Sequence, residues 1–343
     1  MLKDVLNQVV AGKDLSRQEA RQAMSGIMSG NASEAQIGAL LTALRMKGET
    51  SDEIAGFAET MRCYTVKVAC DNKGIIDTCG TGGDCKGTFN VSTTVAFVVA
   101  GAGVPVAKHG NHGISSSCGS ADVLKALGVS LDLPATMVAA AIDELRVAFL
   151  YAPSFHPAMK YAGKPRRELG FRTVFNVLGP LTNPVGAECQ LLGVYARELT
   201  TKLAEVLRLL GVRRAMVVHG LDGLDEISTA APTQVSEVVD GEIRTYLLEP
   251  KNYGLSSLGL NDYRGGTPED NATTMLELLQ GKKGAKRDIV LINAAAALKV
   301  AGKAETFEEG LAVAASSIDS GAALAKLEAL RDYSQRYKGE SAF

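Results

Sequence analysis

A glycine-rich stretch carries the first chemical signal in this chain. Residues Asp77 to Asp84 read DTCGTGGD; they follow the apolar pair Ile75-Ile76 and precede Asn90-Val91-Ser92-Thr93-Thr94, which is typical of a helix start. Glycines let a backbone approach an oxyanion, and the free N–H groups of a helix's first turn point at it. The stretch therefore indicates a phosphate site, although a tight turn alone accounts for the same glycines.

A second polar segment runs from Lys108 to Ser116 and supplies a cation, two imidazoles, an amide, hydroxyls and glycines. It follows the apolar run Val104–Ala107, and Gly119-Ser120-Ala121-Asp122 opens a predicted helix after it. These donors suit a polyphosphate and the hydroxyls of a sugar. A solvated surface loop is the alternative, but such a loop does not need this density of donors directly behind a strand.

An acidic pair, Asp225-Glu226, follows the apolar run Ala215–Val218 and is expected at a strand-to-helix turn. Together with the hydroxyl of Ser92 it offers hard oxygen ligands, and Mg²⁺ is often held by one or two carboxylates plus substrate phosphates. Adjacent acidic residues also occur at helix N-termini for reasons of the helix dipole alone. The pair is therefore a candidate metal site with a plain structural alternative.

Two further side chains are candidates for work on a substrate. Arg166, within the predicted helical stretch Lys164–Glu168, carries a guanidinium that can grip an acidic co-substrate at two points; its alternative is an exposed charged helix face. His109 is the nearest candidate for a general base, although a loop-shaping donor is the simpler role. No residue is assigned as catalytic.

Several familiar nucleotide and hydrolase motifs are missing. The first turn reads Gly80-x-Gly82-x-x-Cys85, so the third glycine of a dinucleotide-binding fingerprint is absent. The turn also lacks the GK[ST] ending of a P-loop. No nucleophile elbow and no HExxH pattern occurs in the sequence, which leaves hydrolase and metalloprotease functions without support.

The elements that position these residues fall into two groups. Residues 1–68 show only helical patterns, with four short helices and an apolar stripe at Ile37, Leu40, Leu41 and Leu44. Three pairs have the spacing of a capping box: Ser16 with Glu19, Ser33 with Gln36, and Thr50 with Glu53. We expect a small helical domain over residues 1–70 that serves packing or oligomer contacts.

From about residue 73 the pattern alternates between strand, turn and helix. Short apolar runs such as Val147–Leu150 and Ala215–Val218 are typical of strands covered on both faces, and helical patterns separate them. This predicts an α/β domain over residues 71–343 with a mainly parallel central sheet, and Asp240-Gly241 adds a late hairpin. Ligands in such sheets bind beyond the carboxyl ends of the strands, where each polar motif named above is expected.

Composition limits the partners. Charged residues make up 22% of the 343 residues and the formal net charge is −2, so neither a nucleic acid nor a membrane surface is expected as a partner. The six cysteines form no CxxC pair and are expected as free thiols in a reducing compartment. With no basic, apolar leader and no run of ~18 apolar residues, we expect a cytoplasmic protein.

The motifs taken together resemble the anthranilate phosphoribosyltransferase family in content, order and spacing, over nearly the whole chain. The resemblance rests on these segments: Asp77–Asp84 with Asn90–Thr93, Lys108–Ser116 with Gly119–Asp122, Arg166–Pro184, and Gly223–Glu226. It implies a fold of the nucleoside phosphorylase/phosphoribosyltransferase type and transfer of the phosphoribosyl group of phosphoribosyl pyrophosphate to the amine of anthranilate, a step of tryptophan biosynthesis. It also implies Mg²⁺ and a homodimer that pairs through the helical domain, joined by a helical segment near residues 160–187.

The resemblance also implies roles for individual residues. The metal ligands are Ser92, Asp225 and Glu226, and anthranilate is bound by Gly80, Asn111 and Arg166. Phosphoribosyl pyrophosphate is bound by Gly80, Gly83, Asp84, Thr88, Asn90, Val91, Ser92, Thr93, Lys108, His109, Gly110, Asn111, His112, Gly113, Ile114, Ser115, Ser116 and Ser120.

The chain departs from the family's usual pattern at two positions. His112 stands where an arginine is usual, and Cys118 where a serine is usual. An imidazole is only partly charged at neutral pH, so weaker or more pH-sensitive sugar-phosphate binding is expected. Two alternatives stay open at this point: a pyrimidine nucleoside phosphorylase, which has no need of the Asp225-Glu226 pair, and a non-catalytic relative that binds nucleic acid through a basic face.

Overall fold

A computed structural model describes residues 2–113, 117–255 and 259–340 of the chain. Three of the expected phosphate-binding residues, Ile114, Ser115 and Ser116, lie outside these ranges. Over the described ranges, the first part of the chain forms only helices: α1 (Leu2–Val10), α2 (Arg17–Met28), α3 (Glu34–Lys47) and α4 (Ser51–Cys63). The four helices expected before residue 68 are therefore confirmed.

Local signals in the sequence fix where these helices begin. All three predicted capping boxes form, with the hydroxyls of Ser16, Ser33 and Thr50 each accepting a backbone N–H from the third helical residue. Such caps satisfy backbone donors that have no partner within the helix. The predicted stripe on α3 is buried as well, at Ile37, Leu40, Leu41 and Leu44.

Among the described residues, the rest of the chain forms one seven-stranded sheet and the helices around it. Its strands are β1 (Ile76–Asp77), β2 (Val106–Gly110), β3 (Val147–Tyr151), β4 (Cys189–Gly193), β5 (Arg214–Gly220), β6 (Thr233–Val239) and β7 (Glu242–Leu248). The order is β3-β2-β1-β4-β5-β6-β7; β1 to β5 pair in parallel, and β6 and β7 are antiparallel. The predicted hairpin is confirmed, with Asp240 and Gly241 both at positive φ.

Helices α1 to α4 together form the helical module, and the helices that follow it cover this sheet. They are α5 (Val91–Gly101), α6 (Ser120–Ala126), α7 (Ala135–Leu145), α8 (Ala152–Phe155), α9 (Lys160–Leu169), α10 (Phe175–Leu178), α11 (Leu199–Leu209), α12 (Pro268–Leu279), α13 (Ala285–Val300), α14 (Phe307–Asp319) and α15 (Ala322–Glu340). Short 3₁₀ turns occur at Pro157–Met159, Gly179–Thr182, Pro250–Tyr253 and Leu260–Tyr263. In the part of the chain that is described, no helix combines the length and apolarity needed to span a bilayer.

The parallel strands β1 to β5 are buried on both faces, which explains their near-continuous apolar runs, whereas the edge strand β7 is largely exposed. Along β5, Met216 and Val218 enter one core with α5 and α13, whereas Ala215 and Val217 enter another. That second core also contains the buried residues of α1 to α4 and of α11. The helical module and the sheet thus share one apolar core, and the expected boundary at residue 70 stays a prediction.

The structure corrects three expectations about local structure. Lys108, His109 and Gly110 are the last residues of β2 rather than the start of a loop. Asp225-Glu226 lies in the connection between β5 and the antiparallel β6, which contains no helix, so a helix N-terminus does not explain the pair. The strand β4 was not predicted, because the buried polar side chain of Gln190 interrupts its apolar run.

Candidate active site

The strand order creates a crevice at the carboxyl ends of β1 and β4. From β1 the chain continues to β2 and β3 on one side, while β4 and β5 lie on the other, so β1 and β4 flank the point where the order reverses. Open α/β sheets bind ligands at such a point. The glycine turn after β1 enters it: the Thr81 N–H donates to the Gly193 carbonyl at 2.8 Å, and a Cβ at Gly80 would lie 3.0 Å from that oxygen.

Gly193, the last residue of β4, brings the acidic pair into the crevice. A Cβ added at Gly193 would lie 1.6 Å from the backbone carbonyl oxygen of Asp225, so only glycine permits this approach. Asp225 then adjoins Asp84 from the glycine turn, and the Glu226 carboxylate accepts the backbone N–H of Ser92. The three residues expected as metal ligands, Ser92, Asp225 and Glu226, are therefore neighbours.

The carboxylates of Asp84, Asp225 and Glu226, which form the acidic cluster, repel one another strongly. Withdrawal from water and then the adjacent Asp84 carboxylate raise the pKa of Asp225 to about 7. Burial and then the charge of Asp225 raise the pKa of Glu226 well above its ordinary value. One buried oxygen of Asp84, Oδ2, has no hydrogen-bond partner. A set of hard oxygen ligands in this state suits a divalent cation such as Mg²⁺.

One buried cation lies beside these carboxylates. Lys108 is 4% exposed, its Nζ lies 3.4 Å from the carbonyl oxygens of Thr78 and His109, and its charge opposes the raised pKa of Glu226. It acts likewise on Asp77, where burial raises the pKa to about 6. Asp77 accepts N–H groups from Cys79, His109 and Asn183 at 2.9, 3.2 and 2.7 Å. This network fixes the end of β1 against β2.

Two buried histidines connect the sheet to the helical module. Nε2 of His109 lies 3.2 Å from Nε2 of His156, whose Nδ1 lies 3.1 Å from the hydroxyl of Thr65 just after α4. Burial lowers the pKa of His156 to about 4, and burial with the charges of His156 and Lys108 lowers that of His109 to about 3. Both rings are therefore neutral at physiological pH.

The segment between β2 and α6 is organised by Asp122. One of its oxygens accepts the N–H groups of Gly113 and Gly119 at 2.9 and 2.8 Å, and the other pairs with Nδ1 of His112. Although burial opposes it, these contacts lower the pKa of Asp122. Nearby, the backbone carbonyl of Asn111 accepts the hydroxyl of Ser120 at 3.3 Å. The two ends of the segment are thus held together.

The first turn of α5 faces the same crevice, but not as the sequence suggested. The side chain of Asn90 makes no capping bond to α5. Val91 and Thr93 are buried, at 2% and 1% exposure. Thr88, in the preceding turn, forms an isolated bridge with Arg264.

Arg166 lies apart from these contacts, on α9. Its guanidinium is half-buried 5.0 Å from the centre of the Phe175 ring, and burial lowers its pKa. Among the described residues, no carboxylate pairs with it. No hydrogen bond or ion pair joins it to the acidic cluster.

Sequence reasoning missed two residues that shape the crevice. Arg172 donates to the carbonyl of Gly83 and stacks 4.3 Å from the centre of the Tyr195 ring, so it ties the glycine turn to the segment after β4. The other is Gly193, for which the signal was a glycine at the end of an apolar run. Gly193 carries no reactive group, and nothing in the local sequence distinguishes the guanidinium of Arg172 from those of the other arginines.

A chain with a sheet of this order, a glycine-rich turn at its switch point and a helical module against it belongs to a class of glycosyl-transferring enzymes. A family model described as "Glycosyl transferase family, a/b domain" matches residues 72–324. A second, described as "Glycosyl transferase family, helical bundle domain", matches residues 3–64.

Similar proteins narrow the class. An anthranilate phosphoribosyltransferase of Moorella thermoacetica is 57% identical over 330 residues, which cover 96% of this chain and 97% of the relative. The crystal structure of anthranilate phosphoribosyltransferase from Thermus thermophilus superposes with a TM-score of 0.92 at 42% identity, covering 97% and 99% of the two chains. The Saccharomyces cerevisiae enzyme in complex with PRPP and Mg has a TM-score of 0.90 at 31% identity, covering 98% of both. The chain belongs to the anthranilate phosphoribosyltransferase family.

Proposed function

We propose that this protein transfers the phosphoribosyl group of phosphoribosyl pyrophosphate to the amine of anthranilate, giving N-(5-phosphoribosyl)anthranilate and pyrophosphate in tryptophan biosynthesis. One observation carries the proposal: the glycine turn, Lys108 and the Asp225-Glu226 pair converge at one switch point of the sheet, in a chain of this family. Family membership favours this function over a nucleoside phosphorylase or a nucleic-acid-binding relative.

The glycine turn and the first turn of α5 are suited to the pyrophosphate. Gly82 and Gly83 have positive φ, a conformation in which successive backbone N–H groups can form an anion-binding concavity, and the N-terminus of α5 favours negative charge. We propose that phosphoribosyl pyrophosphate is bound by the residues that the resemblance to the family implies. Val91 and Thr93 contribute through their backbones. Lys108 contributes charge from β2.

The donor set of the acidic cluster fits Mg²⁺, held by Ser92, Asp225 and Glu226. Two adjacent carboxylates with raised pKa and a buried, unpartnered oxygen on Asp84 are stabilised by a divalent charge. When bound, Mg²⁺ supplies charge neutralisation on the departing pyrophosphate.

The reaction breaks the bond between the anomeric carbon and pyrophosphate. Positive charge builds on the ribose ring and negative charge on the leaving group, as in other glycosyl transfers. Fixed backbone N–H groups and the buried ammonium of Lys108 stabilise that negative charge without reorganisation. Orientation of the weakly nucleophilic aromatic amine supplies much of the remaining acceleration.

Anthranilate is assigned to Gly80, Asn111 and Arg166. The half-buried guanidinium of Arg166 has a ring on one side and no carboxylate partner, which suits the planar carboxylate of an aromatic acid. No general base is assigned, although the neutral imidazole of His109 has a buried Nδ1 without a partner.

One assay tests the function. Anthranilate fluorescence is followed with phosphoribosyl pyrophosphate and Mg²⁺ for the protein, for Asp225→Asn/Glu226→Gln, and for Glu242→Gln, an exposed carboxylate on β7. We expect consumption of anthranilate by the unmutated protein and by Glu242→Gln, and a loss of at least ~100-fold in the double variant. No anthranilate consumption by the unmutated protein, or full activity of the double variant, refutes the proposal.

We further propose a cytoplasmic homodimer that pairs through the helical module. The six cysteines are free thiols, which suits a reducing compartment. Val10 and Met46, in the last turns of the packed helices α1 and α3, are 68% and 83% exposed, as expected of an apolar contact between two copies. Light scattering should give a dimer that Met46→Glu weakens and that Leu247→Glu, on β7, leaves intact.

A further inference from the structure

The amide of Asn90 is held by two distant parts of the chain rather than by its own helix. Its Nδ2 donates to the carbonyl of Cys118 at 3.3 Å. Its Oδ1 accepts Nδ2 of Asn271 at 3.0 Å and the thiol of Cys118 at 3.4 Å. Both lone pairs of the oxygen are therefore used, while the nitrogen retains a second N–H.

Asn271 lies on α12 and is 2% exposed. Its Oδ1 accepts the backbone N–H of Gly266 at 2.9 Å, and a Cβ at Gly265 would lie 2.9 Å from that same oxygen. Because a backbone N–H can only donate, Oδ1 must face Gly266 and Nδ2 must face Asn90. The orientation of both amides is thus fixed by a chain of bonds that begins at the backbone.

The segment that leads into α12 also joins the turn before α5 to the loop before α6. The N–H of Phe89 donates to the carbonyl of Tyr263 at 2.9 Å, and that of Gly265 to the carbonyl of Gly87 at 2.8 Å. On the other side, the hydroxyl of Ser117 donates to the carbonyl of Gly266 at 3.0 Å. Residues 263–271 therefore contact both the turn before α5 and the end of the loop before α6.

We propose that Asn271 is a positioning residue for phosphoribosyl pyrophosphate. It holds the side-chain amide of Asn90 in the orientation that leaves the second N–H of Asn90, rather than the Asn90 oxygen, available to the pyrophosphate. The inference rests on the proposed placement of pyrophosphate at Asn90. A flipped amide would present its oxygen to an anion and lose a donor where one is needed. Asn271 does not touch the substrate; it acts through Asn90.

The sharpest variant is Asn271→Asp, which is nearly isosteric. The carboxylate keeps an acceptor for Gly266 N–H but puts an oxygen against Oδ1 of Asn90, so it favours the flipped amide. We expect the KM for phosphoribosyl pyrophosphate to rise about tenfold, with kcat and the KM for anthranilate changed less than about twofold. Asn252→Asp, at an exposed asparagine, is the control for added charge and should match the unmutated protein.

A double-mutant cycle separates positioning from general damage to the fold. In an Asn90→Ala background, Asn271→Asp should have no further effect on the KM for phosphoribosyl pyrophosphate, since the amide it orients is gone. Cys118→Ala removes the weaker donor to the same oxygen and a thiol that Asn271 also contacts, so it should raise this KM about two- to threefold while the bond from Gly266 N–H to Asn271 stays. That variant keeps the test available if Asn271→Asp fails to fold.

Direct binding of phosphoribosyl pyrophosphate by calorimetry distinguishes the two proposals. If the unmutated protein binds phosphoribosyl pyrophosphate but does not consume anthranilate, the proposed function fails while the role of Asn271 is still tested by the dissociation constant. Equal binding by Asn271→Asp and the unmutated protein, or an undiminished effect in the Asn90→Ala background, overturns the role of Asn271.

Discussion

His112 is one of the residues that we assign to phosphoribosyl pyrophosphate, in the segment between β2 and α6. Its ring pairs with Asp122 and meets Tyr151 edge-on, with centroids 5.4 Å apart. The ring is about half exposed. A guanidinium at this position would carry a permanent charge and a planar set of donors suited to phosphate, which an imidazole does not provide.

This predicts tighter binding of phosphoribosyl pyrophosphate by His112→Arg. At a fixed pH and ionic strength, the KM for phosphoribosyl pyrophosphate should be roughly threefold lower in the variant than in the unmutated protein, because the guanidinium adds a permanent charge. His112→Gln, which adds no charge, should not lower this KM. An equal or higher KM in His112→Arg contradicts the prediction.

Residue types could be predicted from the sequence better than their proximity. The glycine turn, Lys108 and the acidic pair were identified because each carries a recognisable chemical group. Gly193 was not, because its importance comes from the backbone of Asp225, which passes where a Cβ would be. Such a contact depends on which strands are adjacent, and no local pattern reports that.

Elements whose ends are set by local bonds were predicted well. The capping boxes of α2, α3 and α4 involve residues three positions apart, so the sequence contains the whole interaction. The strand β4 was missed because Gln190, 4% exposed, donates to the carbonyl of Pro180 at 2.7 Å. A buried polar residue satisfied by a distant carbonyl cannot be told from a loop residue by its pattern.

Glu53 shows how a predicted cap acquires a role that the sequence does not reveal. Besides accepting the Thr50 N–H at 2.8 Å, it accepts the Leu15 N–H at 2.8 Å and the Lys47 ammonium at 3.0 Å, with no exposure to solvent. It therefore joins the start of α4 to the end of α3 and to the loop before α2.

We predict that Glu53→Ala lowers the free energy of unfolding by about 3 kcal/mol, because it leaves two backbone donors without their partner and removes the buried one of the two carboxylates that pair with Lys47. Glu19→Ala removes the equivalent capping residue of α2 at a partly exposed position and should have a much smaller effect. Urea denaturation of the two variants measures the difference. Equal destabilisation by both would show that the contacts of Glu53 beyond the cap contribute nothing.

On the scale of the whole molecule, the fold class followed from the alternation of strand and helix patterns, but the position of the site did not. The switch point lies between β1 and β4, and β4 was not among the predicted strands. The shared core of α1 to α4 and α11 was likewise invisible, because an apolar stripe shows that a helix packs but not against what.

His156 links the helical module to the sheet, and its burial makes the stability of the whole molecule depend on pH. Its ring lies between Thr65 and His109, and the charged groups acting on this pair are Lys67, Lys108 and Asp77. In the folded protein the pKa values are lowered to about 4 for His156 and about 3 for His109. As pH falls below about 6.5, the two imidazoles therefore take up protons in the unfolded chain before they do so in the folded protein. Stability from the neutral pair is therefore complete above pH 6.5 and is lost as pH falls toward 4. Asp77, with its pKa raised to about 6, opposes this trend over part of the range.

Replacing His156 by glutamine keeps hydrogen-bonding groups at this position and removes its titration. Between pH 7 and pH 5, the free energy of unfolding should fall by about 2 kcal/mol less in His156→Gln than in the unmutated protein. This figure follows from a His156 pKa of about 6.5 in the unfolded chain and about 4 in the folded protein. Urea denaturation at the two pH values measures this difference. An equal loss in His156→Gln and the unmutated protein would mean that the link between module and sheet does not depend on a neutral ring at this position.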